Sequence, residues 1–182
     1  SPGMECCEMH SMSMEYLTYP YLHYLFDEEN LRKYLYQHIL DAIFFIPYGA
    51  TVDEFQHVVY ENPNLTPEER KHEWRKIEKE YQRYMIPICT VYESSQNGGF
   101  WYKQAHIFEN PFYYIDYTIA QVVSLEFLVE SHEDYKKALD KYLNYCKLGG
   151  TLPYNKLLDK ASIANPMHEG VIRDLMVKVE EI

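Results

Sequence analysis

Residues 66–81 read Thr66-Pro67-Glu68-Glu69-Arg70-Lys71-His72-Glu73-Trp74-Arg75-Lys76-Ile77-Glu78-Lys79-Glu80-Tyr81. Thr66 is followed three positions later by Glu69, the spacing at which a hydroxyl and a carboxylate each satisfy a backbone N–H left over at a helix start. Pro67 falls at the first helical position, where its missing N–H costs nothing. The charges that follow alternate in sign, as on a helix with one solvated face. The stretch predicts a helix from Pro67 to about Tyr84.

The same signals recur on either side. Thr51-Val52-Asp53-Glu54 repeats the capping spacing and predicts a helix from Val52 to about Tyr60. Leu31 to Phe45 has apolar residues at helical spacing, ended by Pro47-Tyr48-Gly49. Asn110-Pro111 opens an apolar helix to about Glu130, and Ser131 caps the next, which stops at Gly149-Gly150. A last amphipathic helix spans about His168 to Glu180. Asn62-Pro63-Asn64 and Asn97-Gly98-Gly99 are turns. The first amphipathic run begins around Glu5 and uses Met4, Cys7, Ser11, Met14, Tyr16 and Leu17. Strand signals are few and no repeat or linker interrupts the chain, so an all-α fold is expected, with 1–182 as a single helical domain. Because the chain opens in the middle of a helical pattern, it is expected to be part of a larger polypeptide.

Composition narrows the function. In a chain of 182 residues, 47% are hydrophobic, enough for a substantial core. The net charge of -11 leaves no basic stripe to neutralise phosphates and argues against nucleic acid. No apolar run is long enough to span a bilayer. Cys6, Cys7, Cys89 and Cys146 have neither disulfide nor C-x-x-C zinc spacing. They read as reduced, buried small side chains of a cytoplasmic protein. There are 19 tyrosines, whose polar tips often line the cleft of a helical protein.

Three constellations could carry chemistry. Glu8, Ser11 and Glu15 share one helical face amid methionines; two carboxylates there either form a solvated stripe or meet a metal or cationic network. His106 precedes a helix start carrying Tyr113, Tyr114 and Tyr117, and Tyr113 and Tyr117 stand four apart, so both phenols can point one way. An imidazole and phenols are donors suited to a developing oxyanion, or simply pack a core edge. Glu54-x-x-His57 and Glu69-x-x-His72 have the form of a di-iron bundle motif but lie too close together for that layout. His57 reads instead as a hydrogen-bonded structural histidine. His10, His23, His38, His132 and His168 show no ligand spacing and read as ordinary.

Taken in order, Glu8 to Glu15 (EMHSMSME), Pro47 to Gln56 (PYGATVDEFQ), His106 to Gln121 (HIFENPFYYIDYTIAQ) and Gly149-Gly150 resemble the oligoendopeptidase F branch of the thimet oligopeptidase family. The resemblance covers essentially the whole chain. It implies a helical domain forming one wall of a zincin-type peptidase cleft, the C-terminal part of the catalytic domain of a zinc metalloendopeptidase that cuts short peptides. In such enzymes two histidines of H-E-x-x-H and a later glutamate hold zinc, and the glutamate within the motif activates the attacking water. By the resemblance, Glu8 matches the later zinc ligand and Glu15 a carboxylate that orients a metal-bound histidine. His106, Tyr113 and Tyr117 match groups that contact the peptide and its oxyanion, with Tyr114 as the alternative if the alignment slips by one.

H-E-x-x-H itself is absent from these residues. The chain alone is therefore expected to hold no zinc tightly and to be inactive, its partners being a short peptide and the missing N-terminal part of the enzyme. An exposed face around Glu8 and Met12 would favour a homo-oligomer. The alternative is a non-catalytic helical module that binds peptides or a partner helix.

Overall fold

The computed structural model describes residues 2–83 and 93–182. Every regular element among them is helical: α1 (Met4–Leu17), a 3-10 turn (Tyr19–Tyr24), α2 (Glu28–Glu61), α3 (Pro67–Tyr81), α4 (Glu93–Gln96), a 3-10 turn (Phe100–Lys103), α5 (His106–Glu109), α6 (Tyr114–Leu148), α7 (Tyr154–Ala161) and α8 (Val171–Glu180). The all-α expectation holds. The chain divides into two compact units, one of residues 1–42 and 119–182, the other of residues 43–118.

The first unit is built around α6, which is two helices in one. At Asp134 the backbone leaves helical geometry (φ -154°, ψ 94°). The Asp134 carboxylate accepts the Lys137 N–H at 3.1 Å, so Asp134 caps the second half. The break had been expected at Ser131, whose hydroxyl instead donates back to the Leu128 carbonyl. The chain turns sharply there. Lys141 Nζ lies 2.7 Å from both Glu126 and Glu130, which a straight helix would hold about 22 Å and about 16 Å away along its axis. Into the angle pack Cys6, Met9 and Leu17 of α1 and Leu157, Leu158 and Ala161 of α7, against Val123, Phe127, Tyr142 and Tyr145. The eight-residue α7 was not anticipated; so short a pattern carries little periodic signal.

The buried stripe of α1 is Cys6, Met9, Ser13, Tyr16 and Leu17. The expected stripe through Met4, Cys7, Ser11 and Met14 is rotated from it: Met4 and Met14 are exposed. With methionines at 4, 9, 12 and 14, two adjacent stripes look alike, and the three hydroxyls that Tyr135, Tyr142 and Tyr145 donate to the carbonyls of Leu17, His10 and Cys6 decide between them. Cys6 is buried as expected, Cys7 is half-buried, Cys146 is exposed instead, and Cys89 lies outside the described residues.

In the second unit the capping box at Thr66 forms as expected. The Thr66 hydroxyl accepts from the Glu69 N–H and the Glu69 carboxylate accepts from the Thr66 N–H. The helix ends at Tyr81; Tyr84 lies outside the described residues. Thr51, with the same spacing, caps nothing, because α2 continues through Pro47, and Thr51 donates to the Pro47 carbonyl at 2.8 Å. Val52 and Phe55 are fully buried beyond the proline. Each large apolar burial is worth about 1.5–3 kcal/mol, enough together to offset the roughly 3 kcal/mol a mid-helix proline costs. Gly49 helps: a Cβ there would overlap the Thr118 hydroxyl. The core comprises Val52, Phe55, Trp74, Ile77, Trp101, Ile107 and Tyr114.

Asn110-Pro111 likewise starts no helix. Asn110 ends α5, and Phe112 takes a left-handed conformation (φ 64°) before α6 begins at Tyr114. The buried Gln56 side chain accepts the Phe112 N–H at 2.7 Å, fixing that turn. The final helix starts at Val171 rather than near His168, after the left-handed Gly170.

Candidate functional site

The site residues fall into two groups, one in each unit. On α1, the face opposite the buried stripe carries Glu8, Ser11 and Glu15. Glu8 is half-buried, and the Ser11 hydroxyl donates to the Glu8 carbonyl at 3.0 Å with its carboxylate 3.5 Å away. Glu15 is more exposed, yet its Oε2 lies 2.8 Å from His38 Nε2. The other ring nitrogen of His38, Nδ1, lies 2.8 Å from the Tyr19 hydroxyl. A carboxylate only accepts, so Nε2 carries the proton, and in the neutral ring Nδ1 accepts from Tyr19. His38 has no ligand spacing in the sequence, yet the fold makes it the partner of a candidate site residue. No short spacing links positions 15 and 38, so only the packing of α2 against α1 reveals the pair.

In the second unit, α5 and the start of α6 bring His106, Tyr113, Tyr114 and Tyr117 together. The His106 ring meets Tyr117 edge-on at 5.6 Å and Tyr113 at 6.0 Å, and the Tyr113 and Tyr117 rings are 4.9 Å apart. Tyr114 is nearest to His106, edge-on at 5.2 Å, and also packs into the core against Phe45 and Tyr48, where it is 8% exposed. Burial, and next the neighbouring Tyr117, push its phenol up to about 12. Two residues outside the sequence-derived set orient His106. The Gln104 amide nitrogen lies 2.8 Å from His106 Nδ1, and the Gln104 carbonyl accepts from the Tyr48 hydroxyl at 2.9 Å. With the Tyr48 hydroxyl on the amide oxygen and the amide nitrogen on Nδ1, Nδ1 accepts and Nε2–H remains as the donor of the ring. Burial raises the Tyr48 phenol, keeping it protonated for this purpose.

Zinc needs about three protein ligands. Among the described residues no group of three or more His, Cys, Asp or Glu side chains is arranged to hold a metal. The candidate ligand Glu8 is a single carboxylate, which suits one position of a tetrahedral zinc and by itself does not make a zinc site. The di-iron motif fares no better. Glu69 is engaged at the α3 cap, and His57, expected to be a hydrogen-bonded structural histidine, is exposed and lies 3.6 Å from Asp53, beyond hydrogen-bond distance.

No helix among the described residues is long and apolar enough to cross a membrane. No curated protein matches the sequence. Solved structures do. A protein assigned as an oligoendopeptidase F is 44% identical, with a TM-score of 0.90 over 99% of this chain and 31% of its own. PZ peptidase A with an inhibitor gives the same identity and score over 32% of its chain. An oligoendopeptidase F assigned in Bacillus anthracis str. Ames is 39% identical, with a TM-score of 0.80 over 28% of its chain. The chain thus spans about a third of the length of these proteins. The profile of peptidase family M3 matches residues 1–177, through both units. With this profile match and an all-helical fold that superposes nearly end to end on those structures, the chain belongs to peptidase family M3, in its oligoendopeptidase F-like branch.

Proposed function

We propose that this chain is the C-terminal part of the catalytic domain of a cytoplasmic zinc metalloendopeptidase that hydrolyses short oligopeptides. In this reading Glu8 is one ligand of the metal and Glu15 accepts from a metal-bound histidine supplied by the rest of the enzyme. His106, through its Nε2–H, with Tyr113 and Tyr117, donates to the substrate carbonyl as it becomes an oxyanion. Zinc, when bound, supplies Lewis-acid activation of the attacking water. The observation that carries the reading is the Tyr48–Gln104–His106 chain, which holds an imidazole donor in one tautomer beside two phenols, as a preorganised oxyanion site requires. A core histidine would not need its free N–H kept available. Without the remaining ligands, the 182 residues alone are expected to be inactive.

Metal analysis tests this. The chain alone, dialysed against trace zinc, should retain almost none. A chimaera in which it replaces the corresponding region of an oligoendopeptidase F should hold one zinc and cleave a short fluorogenic peptide, and Glu8→Ala should abolish both. One tight zinc per isolated chain, or an active Glu8→Ala chimaera, would overturn the assignment.

A further inference from the structure

We propose that His38 is a positioning residue for Glu15: the Tyr19–His38–Glu15 chain of hydrogen bonds locks one carboxylate oxygen so that the other can accept from a metal-bound histidine. This rests on the role of Glu15 given above. The Glu15 side chain is 55% exposed and would otherwise sample several rotamers. His38 is 19% exposed and cannot swing away. Its ring stacks on Tyr16 at 4.9 Å and 18°, lies 5.5 Å from Tyr34, and is held at Nδ1 by the Tyr19 hydroxyl. Tyr16 in turn is 1% exposed, and its hydroxyl accepts from Gln121, which also donates to Ser124. The clamp is therefore anchored in the core of α6.

A surface histidine–carboxylate pair contributes little to stability, and nothing in that role calls for a second hydrogen bond and a stacked, core-anchored ring. What the arrangement does accomplish is directional. Oε2 of Glu15 is engaged by His38, which leaves Oε1 to meet an N–H from outside. A carboxylate fixed in this way keeps its acceptor aimed at the metal-binding imidazole, as the supporting partners of metal ligands do elsewhere.

The chimaera with an oligoendopeptidase F provides the test, read by chelator competition for zinc, by kcat and KM separately, and by the thermal unfolding midpoint. His38→Leu should weaken zinc binding about tenfold, at the low end of what such supporting groups contribute, and lower kcat with KM unchanged. His38→Gln, whose amide can both donate to Glu15 and accept from Tyr19, should restore zinc affinity. Tyr19→Phe should weaken zinc binding in the same direction but less, and it keeps the test open if His38→Leu fails to fold. Glu15→Leu should weaken binding at least as much as His38→Leu, and the double variant no further, because His38 acts through Glu15. Unchanged zinc affinity in His38→Leu, a change in the unfolding midpoint alone, or simply additive losses in the double variant would overturn the proposal. If Glu8→Ala abolishes zinc binding while His38→Leu does not, only this inference falls. If Glu8→Ala binds zinc normally, the proposed function falls with it.

Discussion

At the scale of single residues, the proposed chemistry rests on which ring atom of His106 is left to donate. Gln104 and Tyr48 commit Nδ1 of His106 and leave Nε2–H. In the role proposed for His106 its loss removes an oxyanion donor, which costs roughly 10²–10³ in kcat, so His106→Ala in the chimaera should lower kcat by about 10²-fold with little change in KM. Gln104→Leu leaves the imidazole in place but frees its tautomer, and a smaller loss, about tenfold, is expected on the same grounds. Steady-state kinetics on a peptide of fixed length check both; a Gln104→Leu enzyme with full kcat would show that the tautomer does not matter. The sequence made the type and order of the candidate residues legible, Glu8, Glu15, His106, Tyr113 and Tyr117 among them. It could not show the partners that aim two of them. Gln104 is two residues from His106, but Tyr48 is 56 residues from Gln104 and His38 is 23 from Glu15. Contacts that long come from tertiary packing and leave no periodic trace.

At the scale of elements, two identical motifs came out differently. Thr66-x-x-Glu69 caps a helix and Thr51-x-x-Glu54 does not. The turn at Asn62-Pro63-Asn64 leaves residue 66 with extended backbone, free to cap. Pro47 and Gly49 failed to stop α2 because the chain beyond them is buried and Gly49 admits Thr118 closely. Local rules read each stop signal correctly and could not weigh it against burial supplied from elsewhere. Thr66→Ala should therefore destabilise by about 1 kcal/mol, the usual value of an N-cap, and Thr51→Ala should leave the helix start untouched. Gly49→Ala should cost about 1–3 kcal/mol by overpacking, recovered in large part by adding Thr118→Ala. The buried Thr118 hydroxyl has no hydrogen-bond partner among the described residues, so its loss carries no bond penalty. Denaturant midpoints of the two single variants and the double variant measure the coupling, and a double variant no more stable than Gly49→Ala would sink the argument. On α1, Tyr145→Phe removes one of the three hydroxyls that set the rotation of the Glu8 face. A loss of about 1 kcal/mol is expected.

At the scale of the molecule, the question is what the surface does when the chain stands alone. The expectation placed the sticky face around Glu8 and Met12. Met12 proves partly buried against the core of the first unit. The large exposed side chains of that unit lie elsewhere, with Tyr24 at 78%, Leu25 at 76% and Tyr36 at 68% exposure. Large apolar side chains left this exposed favour association, while a net charge of -11 opposes it at low salt. The balance should tip with ionic strength. Sedimentation of the chain at low salt should show chiefly monomer, and added salt should screen the repulsion and produce concentration-dependent dimers or loose oligomers. Tyr24→Ser with Leu25→Ser and Tyr36→Ser should abolish the salt-induced association without shifting the unfolding midpoint, since none of the three side chains is in the core. A monomer at every salt and protein concentration would mean that the aromatic surface is too dispersed to bind a second copy. Association that survives the triple variant would place the contact on another face.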